Sequence, residues 1–123
     1  MQQEPVTRTT LADHRLPHGT AFDHVEVRRI TLAPSVQPGA HVHNGPVFGV
    51  IEAGSAHVHV EGGTERVLRA GDTFYEPGDA TVLRFDATDE GVTFLGWFPL
   101  PDAASPEIAM GRAPAADDAM PTV

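Results

Sequence analysis

The sequence predicts a single all-β domain, a sandwich or a closed barrel. Short runs of alternating or β-branched residues recur at spacings of about 8–12 residues, separated by glycine and proline turns. No segment before residue 100 keeps a helical period. At 123 residues and 41% hydrophobic composition, the chain suits one core and not two.

The elements follow in order. Residues 1 to 20 hold no sustained period, although Thr7 to Leu11 has the composition of a short edge strand. His14 and His18 lie in loop composition beside Arg15, Pro17 and Gly19. HVEVRRITL (24–32) alternates at Val25 and Val27, then shifts phase at Ile30 and Leu32, which predicts a bulged or bent strand. In 40–51, Val47, Gly49 and Ile51 share the parity of His41 and His43. Glu52-Ala53-Gly54 reads as a tight turn with Gly54 at positive φ. SAHVHVE (55–61) puts Ala56, Val58 and Val60 on one face and His57 and His59 on the other. Gly62-Gly63 is a hairpin signal, so Thr64 to Leu68 pairs back. Thr73 to Glu76, Thr81 to Phe85 and Val92 to Phe98 are the remaining strands, the last two separated by the polar loop Asp86 to Gly91. The tail carries five prolines from Pro99 onward, with one helical turn expected over Ser105 to Met110.

Composition excludes several classes. Eight Lys and Arg against 17 Asp and Glu give a net charge of −9, which opposes nucleic acid and anionic membrane surfaces. With no Cys, any metal must sit on nitrogen and oxygen ligands. There is no Gly-x-Ser-x-Gly and no phosphate loop, so no nucleotide cofactor is expected. No apolar run approaches membrane length, and MQQEPVTRTT lacks a signal core, so the expected location is cytoplasmic.

The chemistry concentrates in PGAHVHNGPVFGVIEAG (38–54). Side chains two apart on a strand point the same way, so His41 and His43 aim both imidazoles at one place. That suits two ligands of one metal ion or two groups facing one substrate. A third donor is sought in Glu76, Tyr75, His14 or His18; alternation lets only one of Tyr75 and Glu76 face inward, and carboxylate is a common third ligand. His57 and His59 are expected to point away from the core; a four-histidine site would need both pairs inside. Phe48, Phe74, Tyr75, Phe85, Phe94, Trp97 and Phe98 are expected in the core, with Trp97 alternatively at a dimer interface. Arg84 stands near enough to the Pro77 turn to reach an anionic substrate.

With its strands laid out, the sequence resembles the cupin superfamily. Gly39, His41, His43 and Gly54 match the family's first motif, and AGDTFYEPGDATV matches the second in part, through Gly71, Asp72 and Pro77. The resemblance implies a small cupin double-stranded β-helix, an RmlC-like jelly-roll barrel. It divides the chain into an N-terminal arm and edge strand (1–22), the barrel (23–98) and a Pro/Ala-rich tail (99–123). It also implies a homodimer. The metal-binding motif is degenerate: Val47 stands where the family has a glutamate, and Val82 where it has the third histidine.

The function expected is a small-molecule enzyme of oxygenase, lyase, isomerase or cyclase type. Its site lies inside the barrel, with a divalent transition metal (Fe, Zn, Mn, Ni or Cu) on His41, His43 and Glu76. His41, His43, Tyr75 and Glu76 are the candidate catalytic residues. The alternatives are a metal-free cupin working by His/Tyr/Glu acid–base chemistry and a non-catalytic small-molecule binder.

Overall fold

A computed structural model describes residues 5–101 and 107–110. It is all-β: β1 (His24–Leu32), β2 (His41–His43), β3 (Val47–Val60), β4 (Arg66–Arg69), β5 (Thr73–Glu76), β6 (Thr81–Leu100) and β7 (Ile108–Met110). The strands run β4-β3-β6-β2-β7, with β1 added to β6 and β5 to β3, and the described pairings are antiparallel. This is the all-β class expected from the spacing of short strands and turns, in the jelly-roll form that the cupin resemblance implies.

Two long strands organise the barrel. β6 pairs with β3 along both of its halves, and along its other edge takes β1 at Val92–Leu100 and β2 at Thr81 and Val82. Here the structure corrects two expectations. Glu52-Ala53-Gly54 is not a chain-reversing turn, and Asp86 to Gly91 is not a loop. Both lie inside continuous strands, which bend together where Gly54 (φ 73°) meets Gly91 (φ 71°). A Cβ on Gly54 would lie 2.0 Å from the Gly91 carbonyl oxygen. Glycine at both places lets the ladder fold over without stopping, and the register shifts beside Gly54 are the associated bulges. Residues 86–90 are held in the sheet: Asp86 and Ala87 pair with His57 and Ala56, and the Ser55 hydroxyl bonds Thr88 and Glu90.

β1 also differs from expectation. Its alternation is unbroken and its pairing to β6 is regular, from His24↔Leu100 to Leu32↔Val92. Val25 and Val27 are on the outside, 54% and 52% exposed, while Glu26, Arg28, Ile30 and Leu32 face inward. The register is fixed by the partners: Ile30 must lie against Phe94, and parity then carries Arg28 inside. Its stem is accommodated because the guanidinium lies 5.7 Å from the Phe98 ring centre and bonds Glu26.

The core centres on Phe74, Phe85 and Phe94, whose ring centres lie 4.7 to 5.6 Å apart. Gly49 makes room for them, since a Cβ there would lie 2.0 Å from the Phe74 ring. Phe98 joins this core. Phe48, Tyr75 and Trp97 do not. They form a cross-strand row with Val27 on the outer face, in the register Val27↔Trp97↔Phe48↔Tyr75. Inner and outer residues simply alternate along β3, β5 and β6, so every second aromatic is turned out.

At the ends, Thr7 to Leu11 forms no strand. The arm instead crosses the outer face, with His14 stacked on Tyr75 at 4.5 Å. Ile108–Met110 is a strand paired with β2, not part of a helical turn; Ser105 and Pro106 lie outside the described residues.

Candidate metal centre

Two strands deliver the site. β2 contributes His41 and His43, and β5 contributes Glu76, all inside and 1%, 3% and 2% exposed. The parity of the histidines continues through Gly45-Pro46 into Val47, Gly49 and Ile51, all buried. The turn after β2 and the turn after β5 touch: a Cβ on Gly78 would lie 3.1 Å from the Gly45 Cα. That close approach helps bring His43 Nε2 within 2.7 Å of Glu76 Oε1. Potential ligand atoms of His41, His43 and Glu76 all lie within 4.8 Å of one another.

The two valines expected at ligand positions frame this trio. Val82 is the direct cross-strand partner of His41, and Val47 is the direct partner of Glu76. The carboxylate absent at 47 is therefore supplied from the neighbouring strand, at the position facing it. The sequence pointed to Glu76 because carboxylate is a common third ligand and only one of Tyr75 and Glu76 can face inward, but it held no signal for this register. It also gave Gly39 no role beyond the motif. Gly39 has φ 101°, and its carbonyl accepts a hydrogen bond from His41 Nδ1–H at 2.9 Å.

That bond leaves the His41 Nε2 lone pair free. Burial pushes the His41 pKa below the ordinary histidine value. The Gly39 bond, Glu76 and Asp86 pull the other way, while His43 adds to the lowering. The ring is therefore neutral near pH 7, the form that ligates metal. If His43 donates its Nε2–H to Glu76, its Nδ1 is bare too. Three buried atoms carry no hydrogen bond: His41 Nε2, His43 Nδ1 and Glu76 Oε2. Buried polar atoms are ordinarily paired. Lone-pair atoms of two imidazoles and a carboxyl group are the donor set of a divalent cation, so these residues fit a metal ion.

The other candidates lie elsewhere. Tyr75 points outward between His14 and Phe48, away from the trio. His57 and His59 are on the face opposite Ala56 and Val58, with the His59 Nε2–H directed to the Gly63 carbonyl, so no four-histidine site forms. His18 lies in the exposed arm. Arg84 is engaged by Asp86 at 2.8 Å and Glu65 at 2.6 Å. The larger surface hollow, about 620 Å³, lies on the outer face among Leu11, His14, Phe48, Val50 and Trp97, and none of the trio lines it. A second, about 270 Å³, opens over the turns that follow His43 and Glu76, lined by Asn44, Pro46, Pro77 and Asp79 with Leu16 and Thr20 of the arm.

A family model described as a cupin domain matches residues 28–95. The protein is a cupin. Among solved structures, this cupin is similar to the DMSP lyase DddQ from Ruegeria pomeroyi DSS-3, with TM-score 0.62 and 18% identity over 71% of this chain and 43% of that one. It is similar to an oxalate oxidase in complex with glycolate, a substrate analogue, with TM-score 0.59 and 23% identity over 71% and 46%. It is also similar to an RmlC-like cupin from Shewanella frigidimarina NCIMB 400, with TM-score 0.54 and 24% identity over 64% and 68%. The chain thus spans less than half the length of the lyase and the oxidase. At these identities the likeness is one of fold. No curated protein sequence matches the chain. Among the described residues no helix is long and apolar enough to cross a membrane.

Proposed function

We propose that this cupin is a small-molecule enzyme that works inside its barrel with a divalent transition metal held by His41, His43 and Glu76. One observation carries the reading: two buried histidines and a buried carboxylate from two strands bring potential ligand atoms within 4.8 Å of one another, and each of the three side chains keeps a polar atom without a hydrogen-bond partner. A metal on two histidines and one carboxylate keeps open positions, where it supplies Lewis acidity or oxygen chemistry to a bound substrate.

The chain's own residues do the rest. Gly39 holds the His41 ring through Nδ1. Before an ion enters, Glu76 Oε1 accepts the His43 Nε2 proton and holds that ring; on ligation this bond would give way, the ion replacing the proton between the two side chains. Val47 and Val82 exclude water and add no further ligand, giving an apolar wall to the substrate side. We place substrate entry at the pocket above the Asn44–Pro46 and Pro77–Ala80 turns, one residue along the chain from His43 and Glu76. A lyase, an oxidase and a sugar phosphate isomerase share this fold, so the likeness supports small-molecule catalysis and favours no one reaction class.

Metal analysis of protein purified without a histidine tag tests the proposal. About one transition metal ion per chain, lost in His41→Ala, is expected. Fully folded protein that takes up no metal after incubation with Fe, Zn, Mn, Ni or Cu ions would overturn it. That outcome would favour the second reading, for which the 2.7 Å His43–Glu76 bond speaks: a metal-free acid–base pair.

A further inference from the structure

We propose that Gly39 is a positioning residue for the metal centre, its carbonyl selecting the His41 tautomer and hence the nitrogen that ligates. This rests on the metal reading above and deepens it. A carbonyl only accepts, so the 2.9 Å bond to Gly39 places the His41 proton on Nδ1 and the lone pair on Nε2. Nε2 is one of the three buried atoms without a partner. The other tautomer would break the Gly39 bond and bury an N–H with nothing to accept it. Second partners of this kind fix the orientation of ligating histidines.

The sequence builds the device locally. Pro38 restrains the approach to the bend, and Gly39 takes φ 101°, a region that side chains oppose. The Gly39 carbonyl thereby turns back onto the ring two residues ahead. The two histidines are not equivalent as a result. His41 is fixed by backbone through Nδ1, whereas His43 is fixed by a side chain through Nε2. A change at Gly39 should therefore disturb His41 alone.

The test uses full-length protein. In metal-free, 15N-labelled protein, long-range proton–nitrogen correlations read the tautomer of each ring, with His41 assigned by comparison with His41→Gln. His41 is expected to carry its proton on Nδ1. Gly39→Ala and Gly39→Val are expected to mix the tautomers and weaken Co2+ binding about 10- to 100-fold, leaving the His43 signals in place. Gly54→Ala, which strains the distant bend, is expected to lower stability without moving the His41 tautomer. A wild-type His41 protonated on Nε2 overturns the proposal without any variant, even if every Gly39 variant fails to fold. So does unchanged Co2+ affinity in folded Gly39→Val. Wild-type protein with the Nδ1–H tautomer but no Co2+ binding defeats the metal reading, and the positioning role with it. Metal binding with the wrong tautomer defeats the positioning role only.

Discussion

The two ends of the barrel interior share strand β5 and end up chemically opposite. At one end β5 supplies Phe74 and β6 supplies Phe85 and Phe94; Phe74 meets both rings edge to face, and Phe85 and Phe94 pack tilted against each other. Two residues along β5, at the same inward parity, stands Glu76, and across from it Val47. The aromatic end has only carbon surface to satisfy, and packing satisfies it. The polar end leaves three ligand atoms unpaired. The difference shows where the fold keeps its stability and where it gives some up for chemistry.

The largest effect should come from the aromatic end. Phe94→Ala is expected to cost about 3–5 kcal/mol in urea unfolding, since a fully buried ring leaves a cavity. Metal bound per folded chain should not change; a loss there would mean that the two ends are one unit. Val82→His comes next, because it places an imidazole directly across from His41. Without metal it should cost about 1–3 kcal/mol as a buried polar group, and Co2+ affinity should rise at least tenfold. Equal affinity would show that position 82 does not face the centre.

Acid should act on the polar end specifically. The His41 pKa is lower in the folded state than in the unfolded chain. Between the two values the unfolded state binds more protons, so stability rises with pH there. Metal-free protein should keep this contribution above about pH 6.5 and lose it progressively on acidification. The slope should approach 1.4 kcal/mol per pH unit for one proton, and His41→Phe should flatten it. Glu76→Gln should have the smallest effect on folding, within about 1 kcal/mol, because the amide oxygen still accepts from His43. It should nevertheless abolish metal retention through dialysis, which separates ligation from packing.

Much of this architecture was legible because period-two alternation survives local irregularity. The parity of His41 and His43 passed through Gly45-Pro46 to Val47 and Ile51, and the same rule let only one of Glu76 and Tyr75 face inward, with ligand chemistry favouring the carboxylate. The bends at Gly54 and Gly91 were not legible as bends. A glycine with a polar residue beside it reads identically whether the chain reverses or a continuous strand folds over a second glycine. The phase of β1 misled because two exposed valines outweighed Arg28, whose inward position depends on a Phe98 ring 70 residues away. Phe48, Tyr75 and Trp97 looked like core by composition, yet parity turns them outward. The placement of Glu76 opposite Val47 is a matter of register between strands, which no single stretch encodes.

The pairing of β7 with β2 has a consequence for rates. β2 is only three residues long, bonded to β6 at Thr81 and Val82 on one side and to β7 on the other. Asn44 clasps Glu107 through two further hydrogen bonds. The histidines lie behind this short ladder at 1% and 3% exposure. Short strands of this kind belong to the segments that open locally without global unfolding. Ion uptake by the folded protein should then be gated by opening. Its observed rate should level off as Co2+ concentration rises, and the amides of Val42 and His43 should exchange with deuterium at that same limiting rate.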